Sequence, residues 1–215
     1  MDGPEAGAGD AQAVENAAFV LALRGRGLRD TALLRALERV PRARFALPQH
    51  RELARRDIAL PLPCGASMTA PDTVAAMLAL LRLAPGQSVL EVGTGSGYVT
   101  ALMTDLGAAV TSLERYATLV DHARDRLGEA GPRILHADGL APVEGRFDRI
   151  LVNGSVSALR PHWLAALRPG GRLVTGLLDA GGRCRLAAYL RDTDGCEEGP
   201  AARLAGLVPG RAAAT

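Results

Sequence analysis

The alternation of strand-like and helix-like segments after residue 86 is the feature that most limits the possible folds of this chain. Short apolar segments typical of strands occur at 88–92, 109–113, 133–136, 149–152 and 172–177, and segments with helical periodicity occur near 96–106, 116–129 and 159–167. Strands that alternate with helices form a parallel sheet that is covered on both faces. The later segment "GRCRLAAYLRD" predicts a further strand that returns antiparallel. We therefore expect an α/β fold with a doubly wound, mostly parallel sheet.

The part of the chain before this alternation has helical patterns. "ENAAFVLALRGRG", "DTALLRALERVP" and "QHRELARR" predict three short helices. "TAPDTVAAMLALLRL" predicts a longer one, with Thr69 as its capping residue and Pro71 in its first turn. The first residues, "MDGPEAGAGDAQAV", lack the basic start and apolar centre of a secretory signal. We expect a disordered leader at 1–14, a helical segment at 15–70 and a core at 71–210 that forms one compact domain with it.

Composition argues against several classes of partner. The 25 basic residues, all arginine, nearly balance 23 acidic residues and form no basic stripe, so we expect no nucleic-acid partner. No uninterrupted apolar stretch is long enough to span a bilayer, so we expect no membrane association. The three cysteines and four histidines lack the spacing of a disulfide framework or a metal site. We therefore predict no bound metal and a reducing, cytoplasmic setting.

The segment "VLEVGTGSGY" joins the first predicted strand to the next helix. Ligands of doubly wound sheets bind beyond the carboxyl ends of the strands, where this turn lies. A dinucleotide fingerprint, G-x-G-x-x-G, requires Gly or Ala at the position that Tyr98 occupies. The spacing instead favours the E-x-G-x-G-x-G turn of S-adenosylmethionine-dependent methyltransferases, although the glycines could serve only a tight turn. The cofactor-binding residues predicted here are Glu91, Gly93, Thr94, Gly95, Ser96 and Gly97.

Acidic residues follow the next two predicted strands. Glu114 comes 21 residues after Gly93, and a carboxylate at this place can accept hydrogen bonds from both hydroxyls of an adenosine ribose. Asp138 and Gly139 follow the third strand, where the adenine amine needs an acceptor. Either acid alone could be an ordinary surface residue. Three such features at three successive strand ends together predict S-adenosylmethionine as the cofactor.

Several segments resemble the protein-L-isoaspartate O-methyltransferases, in the same order along the chain. "ALRGRGLRDTALLRALERVPRARFALP" is similar to that family's amino-terminal helical segment, and "ARRDIALPLPCGASMTAP" to its stretch leading to G-x-T-I-S-x-P. "VLEVGTGSGY", "TSLER", "FDRILV" and "LRPGGRLV" are similar to its glycine turn and later strands. The glycine turn is shared by many methyltransferases, whereas "GASMTAP" together with "VPRARF" is more specific. The resemblance covers about 15–209.

The resemblance implies a Rossmann-like methyltransferase fold with a seven-stranded sheet and a small N-terminal helical segment on the acceptor side. It implies methyl transfer from S-adenosylmethionine to a peptide or protein carboxylate, above all an isoaspartyl residue, with S-adenosylhomocysteine as product. The family's motif serine falls on Thr69, which therefore takes its substrate-positioning role as the candidate catalytic residue. The alternative is a purely structural role, in which Thr69 only caps a helix. Ser67, Met68 and Arg115 are further expected cofactor contacts.

Three segments depart from the family pattern. T-A-A-A-P after the fourth strand is here "NGSVS" at 153–157, P-V-G after the fifth is Thr-Gly-Leu at 175–177, and a later Gln is missing near 183–185. We assign Asn153, Ser155 and Thr175 to the acceptor side. These departures leave two hypotheses open: a general repair enzyme, or a methyltransferase for an Asp or other carboxylate of one dedicated peptide. A non-catalytic adenosine-binding protein is a third. A nicotinamide-dependent oxidoreductase is disfavoured, because the chain has no lysine for a Tyr-x-x-x-Lys pair.

Overall fold

A computed structural model describes residues 6–128, 131–193 and 195–212. The α-helices are α1 (Ala6–Gly25), α2 (Thr31–Arg39), α3 (Pro71–Leu81), α4 (Tyr98–Asp105), α5 (Ala117–Leu127) and α6 (Pro161–Ala166). Short 3-10 helices lie at Arg42–Arg44, Pro48–Leu53 and Pro63–Gly65. The strands are β1 (Leu60–Pro61), β2 (Ser67–Met68), β3 (Ser88–Val92), β4 (Ala109–Glu114), β5 (Arg133–His136), β6 (Phe147–Val156), β7 (Leu167–Leu178), β8 (Cys184–Leu190) and β9 (Cys196–Ala201).

Seven of these strands form one sheet with the order β5-β4-β3-β6-β7-β8-β9. The strands from β5 to β7 in this order are parallel to one another, whereas β8 pairs antiparallel with both β7 and β9. The doubly wound, mostly parallel seven-stranded sheet is therefore confirmed. The strand order reverses at β3, which lies between β4 and β6. The carboxyl ends of β3 and β6 are where a ligand of such a sheet binds.

The core has two layers because both faces of the central strands are buried. Along β3, Val89 packs in one apolar cluster, while Leu90 and Val92 pack in the other. Side chains on a strand alternate between its two faces, so a strand buried on both faces has an almost continuous apolar sequence. α2, α3 and α4 contribute to the first cluster, and α6 contributes Trp163 to the second.

Some element boundaries differ from those expected. The strands at 88–92 and 133–136 have the predicted limits, and β6 and β7 extend beyond theirs. The helix predicted from "QHRELARR" is instead a short 3-10 helix. α1 begins inside the predicted leader, in an alanine-rich stretch that favours helix, and residues 1–5 lie outside the described part of the chain. The small β1–β2 hairpin was missed. The division into leader, helical segment and core stays a prediction.

The residues after β9, which we call the C-terminal strap (202–212), return across the carboxyl end of the sheet. The Ser155 amide donates to the Ala205 carbonyl at 2.8 Å, and the Leu207 amide donates to the Ser155 carbonyl at 3.0 Å. Gly154 makes room for this contact, since a Cβ there would lie 2.6 Å from Leu207 Cδ2. The strap thus covers the end of β6. None of the helices in the described ranges has the length and apolar character needed to cross a membrane.

Candidate active site

A pocket lies at the carboxyl ends of β3, β4, β5 and β6. The hairpin residues and the C-terminal strap close it from two sides. Its walls come from 65–69, 92–96, 98–99, 113–116, 137–140, Asn153 and 205–208. The strand ends and their following loops therefore converge on the place where the reversal of strand order predicts a ligand.

The glycine turn passes from β3 to α4 in a backbone conformation that suits glycine. Gly93 has φ of +91°, and Gly97, the residue before α4, has φ of +84°. A Cβ on Gly93 would lie 3.1 Å from the Asn153 carbonyl oxygen, and one on Gly97 would lie 3.1 Å from Leu127 Cδ1. Side chains at these positions would push the turn away from β6 and α5. The two glycines therefore let the turn pack closely between β6 and α5 at the pocket wall.

Glu114, at the end of β4, presents a buried carboxylate to the pocket. Its Oε2 accepts a hydrogen bond from the Gly95 amide at 2.9 Å, and its Oε1 accepts one from the Tyr116 amide at 3.0 Å. Each carboxylate oxygen can accept two hydrogen bonds, so each keeps one acceptor position for a ligand. Two free acceptor positions on neighbouring oxygens match the two hydroxyls of a ribose, and the carboxylate is held in place before ligand binds.

Asp138 and Gly139 form the next wall. Asp138 Oδ1 accepts from the Leu140 amide at 2.9 Å, and Oδ2 accepts from the Gly210 amide of the strap at 2.7 Å. Gly139 lies against Val92, where a Cβ would be only 2.3 Å from Cγ1. Val92, Gly139 and Leu140 therefore give this part of the pocket an apolar wall beside the Asp138 carboxylate acceptor. This chemistry suits an adenine ring and its amine, so the residues present fit an adenosine cofactor.

Thr69 lies across the pocket from Glu114, beside the end of β6. Its hydroxyl donates to Asn153 Oδ1 at 2.9 Å, and Asn153 Nδ2 donates to the Gly93 carbonyl at 3.3 Å. The expected capping role of Thr69 is wrong, because the capping position of α3 is Ala70, which makes no side-chain bond there. The helix starts one residue later than expected, and the Thr69 hydroxyl points to β6 instead.

Comparisons with known proteins agree with this geometry. Residues 14–201 match the family model described as protein-L-isoaspartate(D-aspartate) O-methyltransferase. The chain belongs to this family. A protein-L-isoaspartate O-methyltransferase of Rhodopseudomonas palustris (strain BisB5) is 45% identical over 185 residues, 84% of this chain and 85% of that protein. One from Xanthobacter autotrophicus (strain ATCC BAA-1158 / Py2) is 39% identical over 214 residues, 96% and 98% of the two chains.

The solved structures extend the likeness to the fold. A Plasmodium falciparum protein assigned to the same enzyme class, in complex with S-adenosyl-L-homocysteine, superposes with a TM-score of 0.79 at 21% identity. The match covers 90% of this chain and 98% of that one. A second structure, described as a protein-L-isoaspartate O-methyltransferase, superposes with a TM-score of 0.76 at 22% identity. That match covers 89% of this chain and 65% of the other. The predicted Rossmann-like methyltransferase fold is confirmed.

Most of the side chains and glycines that the family resemblance and the motifs indicated meet at this pocket. Those that line it are Ser67, Met68, Thr69, Gly93, Thr94, Gly95, Ser96, Glu114, Arg115, Asp138, Gly139 and Asn153. Glu91, Gly97, Ser155 and Thr175 are not among the lining residues. The binding role of each lining residue stays a prediction, but their common position at one pocket is a finding.

Glu91 lies behind the glycine turn instead of in the pocket. Its side chain is completely buried, and Oε2 accepts hydrogen bonds from Thr100 Oγ1 at 2.5 Å and Ser112 Oγ at 2.6 Å. Burial raises the pKa of Glu91 to about 7, although the two hydroxyl donors favour the charged form. Ser112 Oγ also lies 2.5 Å from Thr94 Oγ1. Glu91 is therefore connected to the pocket-lining residue Thr94 by hydrogen bonds through Ser112, and it supports the glycine turn from behind.

Two residues expected on the acceptor side lie beneath the surface. Thr175 is completely buried in β7, and Ser155 is nearly so in β6. Ser155 pairs with the strap through its backbone, and its hydroxyl donates to the Leu204 carbonyl at 3.2 Å. Neither side chain is among the lining residues, and Ser155 lies where the strap covers the end of β6. Among the three acceptor-side predictions, Asn153 alone is one of the lining residues.

The strap residues at 205–208 are the part of the site that sequence reasoning missed. Their segment, "AGLVPG", has no charged or nucleophilic side chain, and the only available signal was an apolar stretch after the last strand. Tyr98, which argues against a dinucleotide fingerprint in the sequence, also lines the pocket and is almost fully buried. Within the described ranges, no group of three or more His, Cys, Asp or Glu side chains could hold a metal ion.

Proposed function

We propose that this protein methylates the side-branch carboxylate of isoaspartyl residues in peptides and proteins, with S-adenosylmethionine as methyl donor. Membership of the protein-L-isoaspartate O-methyltransferase family supports this activity. The observation that carries the proposal is the position of two groups on one pocket. The buried Glu114 carboxylate lies on one side of the glycine turn, and the hydrogen-bonded pair of Thr69 and Asn153 lies on the other.

Glu114 and Asp138 are the residues we assign to the cofactor. Glu114 would accept the ribose hydroxyls with the acceptor positions that its two backbone donors leave open. Asp138 would accept the adenine amine, while its bond to Gly210 fixes the strap over the same wall. When bound there, S-adenosylmethionine supplies an electrophilic methyl group. Glu114 and the glycine turn set the place at which that group meets the acceptor.

Thr69 and Asn153 are the residues we assign to the acceptor. The Thr69 hydroxyl already donates to an oxygen of Asn153, and a rotation about its side chain would let it donate to a carboxylate. A carboxyl group with an ordinary pKa of about 4 is ionised at neutral pH, so the site needs no general base. The residues have to orient the carboxylate and exclude water, and the strap and hairpin serve the second purpose.

Isoaspartyl acceptors fit this site better than one dedicated peptide. The departures from the family pattern at 155 and 175 suggested a changed acceptor, but both side chains are buried away from the pocket. Asn153 is the departing residue that reaches the pocket wall, and an amide there can still orient the Thr69 hydroxyl. The altered sequence therefore leaves the lining of the pocket largely intact. The expectations of no nucleic-acid partner and of a cytoplasmic location stay predictions.

A matched pair of peptides tests the proposal. The purified protein is incubated with S-adenosylmethionine and a short peptide that contains either one isoaspartyl residue or aspartate at the same position. We expect methylation of the isoaspartyl peptide, detected by mass spectrometry, and release of methanol as the ester decays. Methylation of the aspartyl peptide alone would support the dedicated-peptide alternative. A methyl group stable to mild base would contradict carboxylate methylation altogether.

A further inference from the structure

Arg42 is a buried arginine next to the acceptor side of the pocket. It comes from the "VPRARF" segment and is only 4% exposed. Its Nη1 donates to the Ala54 carbonyl at 2.9 Å, and its Nη2 donates to the Ile58 carbonyl at 3.0 Å. The same Nη2 lies 3.3 Å from the Met68 carbonyl and 3.0 Å from the Thr69 carbonyl. One guanidinium thus joins two separate backbone segments, 54–58 and 68–69.

The charge of Arg42 has no carboxylate partner at salt-bridge distance within the described residues. Burial lowers its pKa to about 10, so the group still carries its charge at neutral pH. A buried charge is unfavourable unless polar groups surround it, and here four backbone carbonyls accept hydrogen bonds from its two terminal nitrogens, while its Nε has no partner within the described residues. The arrangement therefore keeps a positive charge beside the segment that contains Thr69, and holds that segment by its carbonyl oxygens.

Fixing these carbonyls also fixes the amides beyond them. A trans peptide unit is planar, and its N–H points opposite to its C=O. The described chain has no cis peptide bond. Because the Met68 and Thr69 carbonyls face Arg42, the amides of Thr69 and Ala70 face away from it. Neither amide donates a hydrogen bond to another part of the chain in the described ranges. Two free amides and the Thr69 hydroxyl therefore lie on one short segment, in which Thr69 lines the pocket and Ala70 is the next residue.

We propose that Arg42 is a positioning residue for the acceptor, which aims the Thr69 and Ala70 amides and the Thr69 hydroxyl at the substrate carboxylate. The inference rests on the proposed function, because it needs an anionic acceptor at this segment. Arg42 acts through the backbone of Met68 and Thr69 and does not touch the substrate. Its positive charge favours an anion at this place, and its planar fork sets the direction of the donors. A lysine keeps the charge but loses the fork.

The variant Arg42→Lys separates positioning from charge, and Arg44→Lys is its control. Arg44 lies in the same 3-10 helix but is exposed. We expect Arg42→Lys to lower kcat/KM for the isoaspartyl peptide by about tenfold or more, since misaimed donors affect the transition state. Calorimetric affinity for S-adenosylhomocysteine should stay within about twofold of wild type. Arg44→Lys should change neither quantity. Equal peptide kinetics in the two variants would overturn the inference.

A purely structural role predicts a different pattern, in which the S-adenosylhomocysteine affinity of Arg42→Lys falls by the same factor as kcat/KM. That result would also overturn the inference. If Arg42→Lys does not fold, the amide resonances of wild-type protein decide the question. When the isoaspartyl peptide is titrated into the S-adenosylhomocysteine complex, the Thr69 and Ala70 amides should shift more than the amides on α6. Peptide binding without these shifts would refute the positioning of both donors.

The same experiments distinguish failure of the inference from failure of the proposed function. Wild-type protein that methylates no isoaspartyl peptide would refute the proposed function and with it the role of Arg42. Wild-type protein that is active, together with an equally active Arg42→Lys variant, would refute the role of Arg42 alone. Loss of peptide kinetics with retained S-adenosylhomocysteine affinity, seen in Arg42→Lys and absent from Arg44→Lys, would support both.

Discussion

Replacing Glu114 by glutamine tests the cofactor site most directly. The two oxygens of this carboxylate each accept one backbone N–H, from Gly95 and Tyr116, and each has one position left for a ribose hydroxyl. Glutamine has one oxygen and one NH2 group, so the NH2 would face either the Gly95 or the Tyr116 donor. The variant thus loses one acceptor for the ribose, loses the charge, and places two donors against each other.

The expected loss in Glu114→Gln follows from these contacts. Hydrogen bonds to charged groups contribute about 1.5–3 kcal/mol each, so we expect S-adenosylhomocysteine affinity to fall by about 2 kcal/mol, or roughly thirtyfold. Isothermal titration calorimetry measures this directly. Asp121→Asn, an equal change of charge at an exposed position on α5, should leave the affinity unchanged. An affinity of Glu114→Gln within about twofold of wild type would refute the assignment of Glu114 to the ribose.

Three further changes test the acceptor residue, the buried support and the strap. Thr69→Val removes the hydroxyl and keeps the shape of the side chain. Turnover of the isoaspartyl peptide should therefore fall by about tenfold or more, while the affinity for S-adenosylhomocysteine stays within a few-fold of wild type. Unchanged turnover would contradict the positioning role of Thr69. The folded protein holds the pKa of Glu91 at about 7, above its ordinary value of 4.5, so the native state binds more protons than the unfolded state between these pH values. The contribution of Glu91 to the free energy of unfolding therefore falls as pH rises through that window. Urea unfolding at several pH values should show that Glu91→Gln removes this pH dependence of the free energy of unfolding. The same pH dependence in wild type and variant would contradict the role of Glu91. Gly154→Ala places a methyl group 2.6 Å from Leu207 Cδ2 and so displaces the strap. The strap should then be cleaved more easily in limited proteolysis, and S-adenosylhomocysteine should dissociate faster. A strap that stays protease-resistant, with a wild-type dissociation rate, would refute its docking on Gly154.

The cofactor side of the site was predictable because its signals are local. The glycine turn and Glu114 each follow a strand that the apolar pattern identifies, and the carboxyl ends of parallel strands meet at one edge of the sheet. Their order along the chain therefore determines their proximity in space. Asp138 follows the same rule at the end of β5. No contact between distant segments had to be known for these three predictions.

The acceptor side could not be predicted in the same way, because it is built by contacts between distant segments. Thr69 meets Asn153 across 84 positions of the chain, and the strap, which follows the last strand, reaches the pocket by pairing with Ser155 of β6. The capping prediction for Thr69 was locally reasonable, but a hydrogen bond to β6 replaced it. The motif alone also does not show where the Glu91 side chain points. Glu91 lies between Leu90 and Val92, so its side chain is on the opposite face of β3, where it contacts α4 instead of the pocket.

The departures from the family pattern can be understood through the strap. The replaced positions at 154–155 and 176 lie where the strap packs: Gly154 contacts Leu207, Ser155 pairs with Ala205, and a Cβ on Gly176 would lie 2.7 Å from Leu204. A change in strand ends that contact the strap need not alter the pocket wall, provided that the strap still covers it. Asn153 is different, because it joins Thr69 to the glycine turn. A change of acceptor preference in this chain should therefore be sought first at Asn153, and a change in cofactor release at the strap.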